Sequence, residues 1–267
     1  MASESRNVES QRRSLGDVTY FDRGVLTGRD GARYARFAIQ THFVEVGEDQ
    51  ADLVRKYVLP LYHPGDVLAF GAKVMAMCTG NVRTKDQEKP GFWARLLSPH
   101  ASETTAGIGM HDPYKLQLAI DMVGAPKVVF AAIASAITKP FGKKGVFYNI
   151  VGPGVAGIDG FYYRSSFERY HDLALINNTN ATELCDDLEQ KTGVPVVLMD
   201  ANDIDQNQLG KGTNFPLSDD QIQDALKDNP SGQGDELTPL ILIRPLRSEA
   251  EPDVQQPAAE SHSPERA

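Results

Sequence analysis

A chain of 267 residues with 41% hydrophobic side chains is long enough to bury a core of its own, as one large domain or two small ones. A net charge of −9 argues against a general nucleic-acid binder, which needs a basic face, but leaves room for a nucleotide whose phosphates are met by a metal ion. Cys78 and Cys185 stand far apart and form no C-x-x-C pair, no apolar segment follows the first residues, and no run reaches membrane-spanning length; the reading is a cytoplasmic protein with reduced, buried thiols and no membrane partner.

In chain order, residues 1–17 are polar and read as unstructured, and residues 18–246 read as the folded domain. Residues 18–31 hold short β-type pieces broken by glycine, and residues 33–46 a β-rich stretch with Gln40-Thr41-His42-Phe43 in its middle. Residues 48–61 predict a helix that turns Leu53, Val54, Tyr57 and Val58 to one side. After the turn His63-Pro64-Gly65-Asp66, the run 67–77 begins as a strand and then either continues or starts a helix. Lys73 interrupts it, as a phosphate contact or as a snorkelling side chain.

Residues 82–105 form a surface excursion in which Phe92, Trp93, Leu96 and Leu97 fit a short amphipathic helix that packs down or meets a partner. Asp112-Pro113 predicts a capped helix start running to Val123, and residues 126–137 a buried strand or helix. Residues 139–145, with Lys139, Lys143 and Lys144, read as a solvated basic turn, and residues 146–151 as a strand. Gly152-Pro153-Gly154-Val155-Ala156-Gly157 spells G-x-G-x-x-G, but the next residues, Ile158 to Tyr163, are no helix start, so a dinucleotide fingerprint is not supported. A strand at 172–176, a helix at 180–191, a strand at 193–200, a Ser218-capped helix to Leu226 and a last strand around 240–243 complete the domain, and residues 247–267 read as a disordered tail. The expected class is mixed α/β (α+β), with mixed sheets and flanking helices and no P-loop or Rossmann core.

The strand at 193–200 ends on Asp200, where ligands gather in α/β proteins, although an aspartate there also serves as a turn cap. Asp159 in Ala156-Gly157-Ile158-Asp159-Gly160 and the run Gly232-Gln233-Gly234-Asp235-Glu236 add hard oxygen ligands of the kind that Mg²⁺ or Mn²⁺ prefers. No H-E-x-x-H, P-loop or G-x-S-x-G motif occurs.

These stretches carry a family resemblance. Gly65-Asp66-Val67-Leu68 through Gly80 resembles the G-D-V-L strand and S-K-x-E-G motif of the coenzyme F-420-0:L-glutamate ligases, the GTP-dependent γ-glutamyl ligases of deazaflavin coenzyme maturation. Asp112-Pro113 resembles the start of a family helix, Ala156–Asp159 the A-G-I-D motif, and Ser231 to Pro239 the G-Q-x-D-E segment. The resemblance covers roughly residues 33–246 and implies a cytoplasmic homodimer that activates a carboxylate, such as coenzyme F-420-0, as an acyl phosphate and joins it to L-glutamate. It implies that Asp159, Asp200 and Gln233 hold divalent ions, and that Gln40, Thr41, His42 and Phe43 line the GTP site with Gly232, Gly234, Asp235 and Glu236. Lys73 is the candidate phosphate contact. Met77 and Thr79 stand where the motif has lysine and glutamate, Phe161 and Tyr162 where it has an S-N pair, and Ala201 where it has threonine. Two classes therefore stay open: a ligase, or a ligase-like protein that binds nucleotide or deazaflavin without turnover.

Overall fold

Three apolar runs at the centre of the chain's main sheet are buried on both sides, and the architecture follows from what covers them. The structure, a computed structural model, describes residues 11–101, 109–161, 167–201, 206–232 and 236–246. Strands β1 (Gln11–Leu15), β2 (Val18–Thr27), β3 (Arg33–Ile39), β4 (Val67–Gly71), β8 (Val196–Ala201), β9 (Gln206–Lys211) and β10 (Leu240–Leu246) form a seven-stranded sheet in the order β1-β2-β3-β10-β4-β8-β9. Strands β5 (Val82–Thr84), β6 (Ile158–Gly160) and β7 (Leu173–Ile176) form a second sheet in the order β5-β7-β6. Among the described strands only β4 and β8 pair in parallel, with Gly71 opposite Met199 at their carboxyl ends.

Alternation along β4, β8 and β10 sends Leu68, Phe70, Val196, Leu198, Leu240 and Leu242 to one core and Val67, Ala69, Val197, Met199, Ile241 and Ile243 to the other. Helix α1 (Gln50–Leu53), continued by the π-turn Val54–Val58, covers the first side together with α8 (Ala181–Thr192). Leu53, Val54, Tyr57 and Val58 are all buried there, as the sequence predicts. Helix α9 (Asp219–Leu226) covers the second side through Ile222, Ala225 and Leu226, and Ser218 caps it in a reciprocal capping box with Gln221.

The connection from β4 to β8 begins with α2 (Ala72–Cys78) and holds the small sheet together with α3 (Phe92–Leu97), α4 (Pro113–Val123), α5 (Ala125–Thr138), α6 (Val146–Val151) and α7 (Pro153–Ala156). Leu116, Leu118, Ala119, Val128, Ala131, Val151 and Val155 pack there against Ile158, Ala174 and Ile176. Asp112 caps α4 through the Lys115 amide at 2.8 Å, with Pro113 in the first turn.

Four expectations change. Residues 146–151 are helix α6, not a strand: Gly145 (φ 74°) and Gly152 (φ 101°) bracket a turn that closes its own hydrogen bonds and packs on α5, a partner with no strand edge to offer. Residues 126–137 are helical but bury only one side, since Val128 and Ala131 are covered while Phe130, Ile133 and Ile137 are exposed. The pieces at 18–31 merge into β2, whose register shifts between Asp22 and Val25 around Gly24 (φ 70°). Strand β1 lies within the segment read as unstructured and pairs with β2 through residues 11–15. Residues 1–10 and the tail beyond 246 lie outside the described residues. Among the described residues no single helix is long and apolar enough to cross a membrane.

Candidate functional site

Beyond the carboxyl ends of the parallel pair, two lysines and two of the predicted acids come together. Lys73, in the first turn of α2, places Nζ 2.6 Å from Asp159 Oδ2 on β6. Asp200, near the end of β8, adds its charge to the same ammonium and accepts a hydrogen bond from Asn177 Nδ2 at 3.2 Å. Lys115 of α4 is buried and feels Asp159, Asp112 and Lys73. Tyr170 faces Lys73 and Asp159 electrostatically.

The two lysines are tuned in opposite directions. Crowding by protein lowers the Lys73 pKa, but attraction to and hydrogen bonding with Asp159, joined by the Asp200 charge, outweigh it and the value rises. Lys73 nevertheless keeps 47% of its side-chain surface, so its ammonium is reachable from solvent. For Lys115 burial dominates, and its pKa falls despite Asp159 and Asp112; Lys73 lowers it further. Burial likewise raises the Tyr170 phenol, which Lys73 lowers and Asp159 raises.

The glycines of the Ala156–Gly160 stretch explain how so many groups fit. A Cβ at Gly157 would stand 2.7 Å from Asn177 Nδ2, and one at Gly160 would stand 3.2 Å from Lys115 Cδ. The bare backbone on either side of Asp159 thus leaves room for Asn177 and Lys115 to reach the acid cluster. Phe161, the next residue, is buried with φ 38°, a conformation costly for a non-glycine residue.

Part of the predicted nucleotide segment forms a second group. Residues 40–43 follow β3 rather than lying within a strand. The Gln40 side chain donates to the Glu236 carbonyl at 3.0 Å, and the Thr41 amide donates to the Leu237 carbonyl at 2.9 Å. His42 is held between the Tyr57 hydroxyl (2.7 Å) and Glu48 (2.8 Å). The Glu236 carboxylate pairs with Arg23, and Gly232 (φ 71°) lies so close to that pair that any Cβ would collide with it. Phe43 packs on Tyr170, with ring centroids 5.2 Å apart, and so links this segment to the lysine–acid cluster. Gln233, Gly234 and Asp235 lie outside the described residues.

Sequence reasoning does not single out Lys115 or Asn177. For Lys115 a signal exists: in Asp112-Pro113-Tyr114-Lys115 it is the third residue of a capped helix, next to the apolar Leu116, Leu118 and Ala119. Asn177 carries none, since an asparagine after a strand reads as a turn. Met77 is buried in a small core with Leu175, and Thr79 closes α2 through the Met75 carbonyl (2.9 Å) and meets Asn178 (3.0 Å). Lys143 and Lys144 are exposed on the loop before α6.

Carboxylate and amide oxygens suit a hard divalent cation, and Asp159 and Asp200 supply two carboxylates around one positive charge, now that of Lys73. Among the described residues no three His, Cys, Asp or Glu side chains converge on one point, so a third protein ligand would have to be an amide or come from outside them. In comparisons with known proteins, no family model matches this chain and no curated protein is significantly similar to it.

Proposed function

We propose that the chain is a GTP-dependent acid–amino-acid ligase with a fold like that of the coenzyme F-420-0:L-glutamate ligases. The observation that carries this reading is the convergence of Lys73, Lys115, Asp159, Asp200 and Asn177 beyond the carboxyl ends of β4 and β8. Motifs distant in sequence supply this one cluster, at the strand ends where ligands gather in α/β proteins. The G-x-G-x-x-G letters at 152–157 run from α6 through α7 into β6, the reverse of the strand-to-helix context of a Rossmann site, so this stretch does not supply a dinucleotide fingerprint.

In this reading the substrate carboxylate attacks the γ-phosphorus of GTP. The bond to the β-phosphate oxygen breaks and GDP leaves. The amine of L-glutamate then attacks the acyl carbon, losing a proton, and inorganic phosphate departs with the bonding electron pair. Lys73 and Lys115 hold the anionic groups in place and offset their charge, the main demand of phosphoryl transfer. Asn177 orients Asp200, and Gln40 and Thr41 shape the nucleotide wall with Glu236 and Leu237. Asp159, Asp200 and Gln233 would hold Mg²⁺ or Mn²⁺, which when bound neutralises the triphosphate as a Lewis acid. The protein acts as a cytoplasmic homodimer.

The second reading, nucleotide or deazaflavin binding without turnover, draws on the buried Met77 and the helix-closing Thr79, which replace the charged pair of the motif. Phosphate release from GTP, measured with L-glutamate and a panel of carboxylate acceptors, separates the two. A ligase releases phosphate only with an acceptor present, and Asp200→Asn lowers that rate at least ~100-fold. A melting temperature that rises with GTP and metal, without phosphate release for any acceptor, selects the second reading; no rise with GTP or ATP rejects both.

A further inference from the structure

Helix α5 is apolar on two opposite sides, and only one of them is used. Val128 and Ala131 face the core, while Phe130 (63% exposed), Ile133 (53%), Ile137 (62%) and, just beyond the helix, Phe141 (80%) look outward. Their spacing of three and four residues makes one stripe, about 16 Å long at helical rise. Helix α3 packs against α4 and α5 and leaves Phe92, Trp93 and Leu96 exposed as well. Scattered exposed apolar residues need no explanation, but an aromatic and aliphatic stripe of this length does.

Charge indicates what covers it. Residues 122–158 contain four lysines, Lys127, Lys139, Lys143 and Lys144, and no aspartate or glutamate, in a chain of net charge −9. All four lysines are exposed. An acidic protein that gathers an uninterrupted basic segment around its most exposed apolar stripe has a surface complementary to a negatively charged apolar boundary. A second copy of the chain fits less well, because two-fold packing of this segment on itself brings lysines toward lysines with no carboxylate in the segment to pair them.

We propose that this face docks on the surface of an anionic phospholipid membrane. Phe130, Ile133, Ile137 and Phe141 enter the boundary between headgroups and acyl chains, and Lys139, Lys143 and Lys144 meet lipid phosphates. The contact is peripheral: among the described residues no single helix is long and apolar enough to cross a membrane, and α4, which α5 meets at a 120° bend, buries Leu116, Leu118 and Ala119 in the protein core. It is independent of the proposed ligase activity, and a dimer formed through another face leaves it open.

Sedimentation of the full chain with sucrose-loaded vesicles tests this, using phosphatidylcholine alone against phosphatidylcholine with roughly 30% phosphatidylserine. Binding is expected to the anionic vesicles, to fall at about 0.5 M salt, and to weaken about 30-fold in K143Q/K144Q. F130S/I137S should abolish binding while keeping the wild-type melting temperature, since both side chains are exposed. Wild-type protein that stays in the supernatant with anionic vesicles at low salt overturns the proposal, as does wild-type binding by F130S/I137S. So does light scattering that shows F130S/I137S turning a dimer into a monomer, which would assign the stripe to a second copy.

Discussion

Gly157→Ala isolates one contact that builds the site. Gly157 has φ −84° and ψ 10°, a conformation alanine adopts without strain, so the backbone alone predicts a slight gain of ~0.4–1 kcal/mol from a stiffer unfolded chain. Against it stands the new methyl group, 2.7 Å from Asn177 Nδ2, 3.2 Å from its Cγ and 3.3 Å from its Cβ. Asn177 must swing away, and its 3.2 Å hydrogen bond to Asp200 is lost with it. Overpacking costs ~1–3 kcal/mol, so the net expectation is a destabilisation of about 1–2 kcal/mol. In a protein of this size that is a fall in melting temperature of very roughly 2–8 °C. Asn177→Ala removes the hydrogen bond without the clash and should cost about 1 kcal/mol. Because it also removes the two nearest atoms that the new methyl strikes, Nδ2 and Cγ, and leaves only the milder contact with Cβ, G157A/N177A should be nearly as stable as N177A alone. Urea unfolding followed by circular dichroism gives all four free energies, and the coupling should reach about 1–2 kcal/mol. Additive effects would show that the Gly157 backbone and Asn177 are not in contact, and the packing account of the Gly157–Gly160 stretch would fail.

Three other outcomes are expected. Glu88 is buried, and burial, followed by its interaction with Asp121, pushes its carboxyl up to about 7 despite Arg83. A folded-state pKa above the unfolded value of 4.5 means that its contribution is fully present below pH 4.5 and is lost as pH rises toward 7; Glu88→Gln should flatten the fall in stability across that window, and an unchanged slope refutes the assignment. Cys78 and Cys185 are free and buried, with thiols pushed up to about 12 by burial, so a thiol reagent at pH 8 should label neither until the protein unfolds; rapid labelling of native protein contradicts their placement. Lys73→Met should leave the fold intact, because the side chain is half-exposed, yet abolish the rise in melting temperature with GTP; a full GTP shift in the variant removes Lys73 from the nucleotide site.

The parts of the fold legible in sequence are those with local chemistry. Asp112-Pro113 and Ser218 announce their helices because caps act within one turn, and β4, β8 and β10 announce themselves because strands buried on both faces are continuous apolar runs. Residues 146–151 mislead because five valine, aromatic and isoleucine side chains interrupted only by Asn149 suit strand and buried helix alike, and the neighbouring α5 decides between them. Periodicity is equally silent on which side of α5 is covered, since both sides are apolar. At the site, the sequence offers Asp159, Asp200 and Lys73 as separate signals. What joins them is tertiary: the parallel pairing of β4 with β8 lays α2 against β8, and Lys115 and Asn177 enter through space cleared by glycines.

The last described strand, β10, lies between β3 and β4 in the middle of the large sheet. It pairs with β3 over seven residues and with β4 over four, and Asp66, just before β4, accepts two bonds of 2.8 and 2.7 Å from its Arg244. During synthesis, two sticky strand edges therefore wait until nearly the whole folded domain has been made for the segment that closes them. A growing chain halted before residue 240 would display both edges and the apolar faces beside them. Unpaired edges of that kind are what make partly synthesised chains prone to aggregate until the closing strand leaves the ribosome.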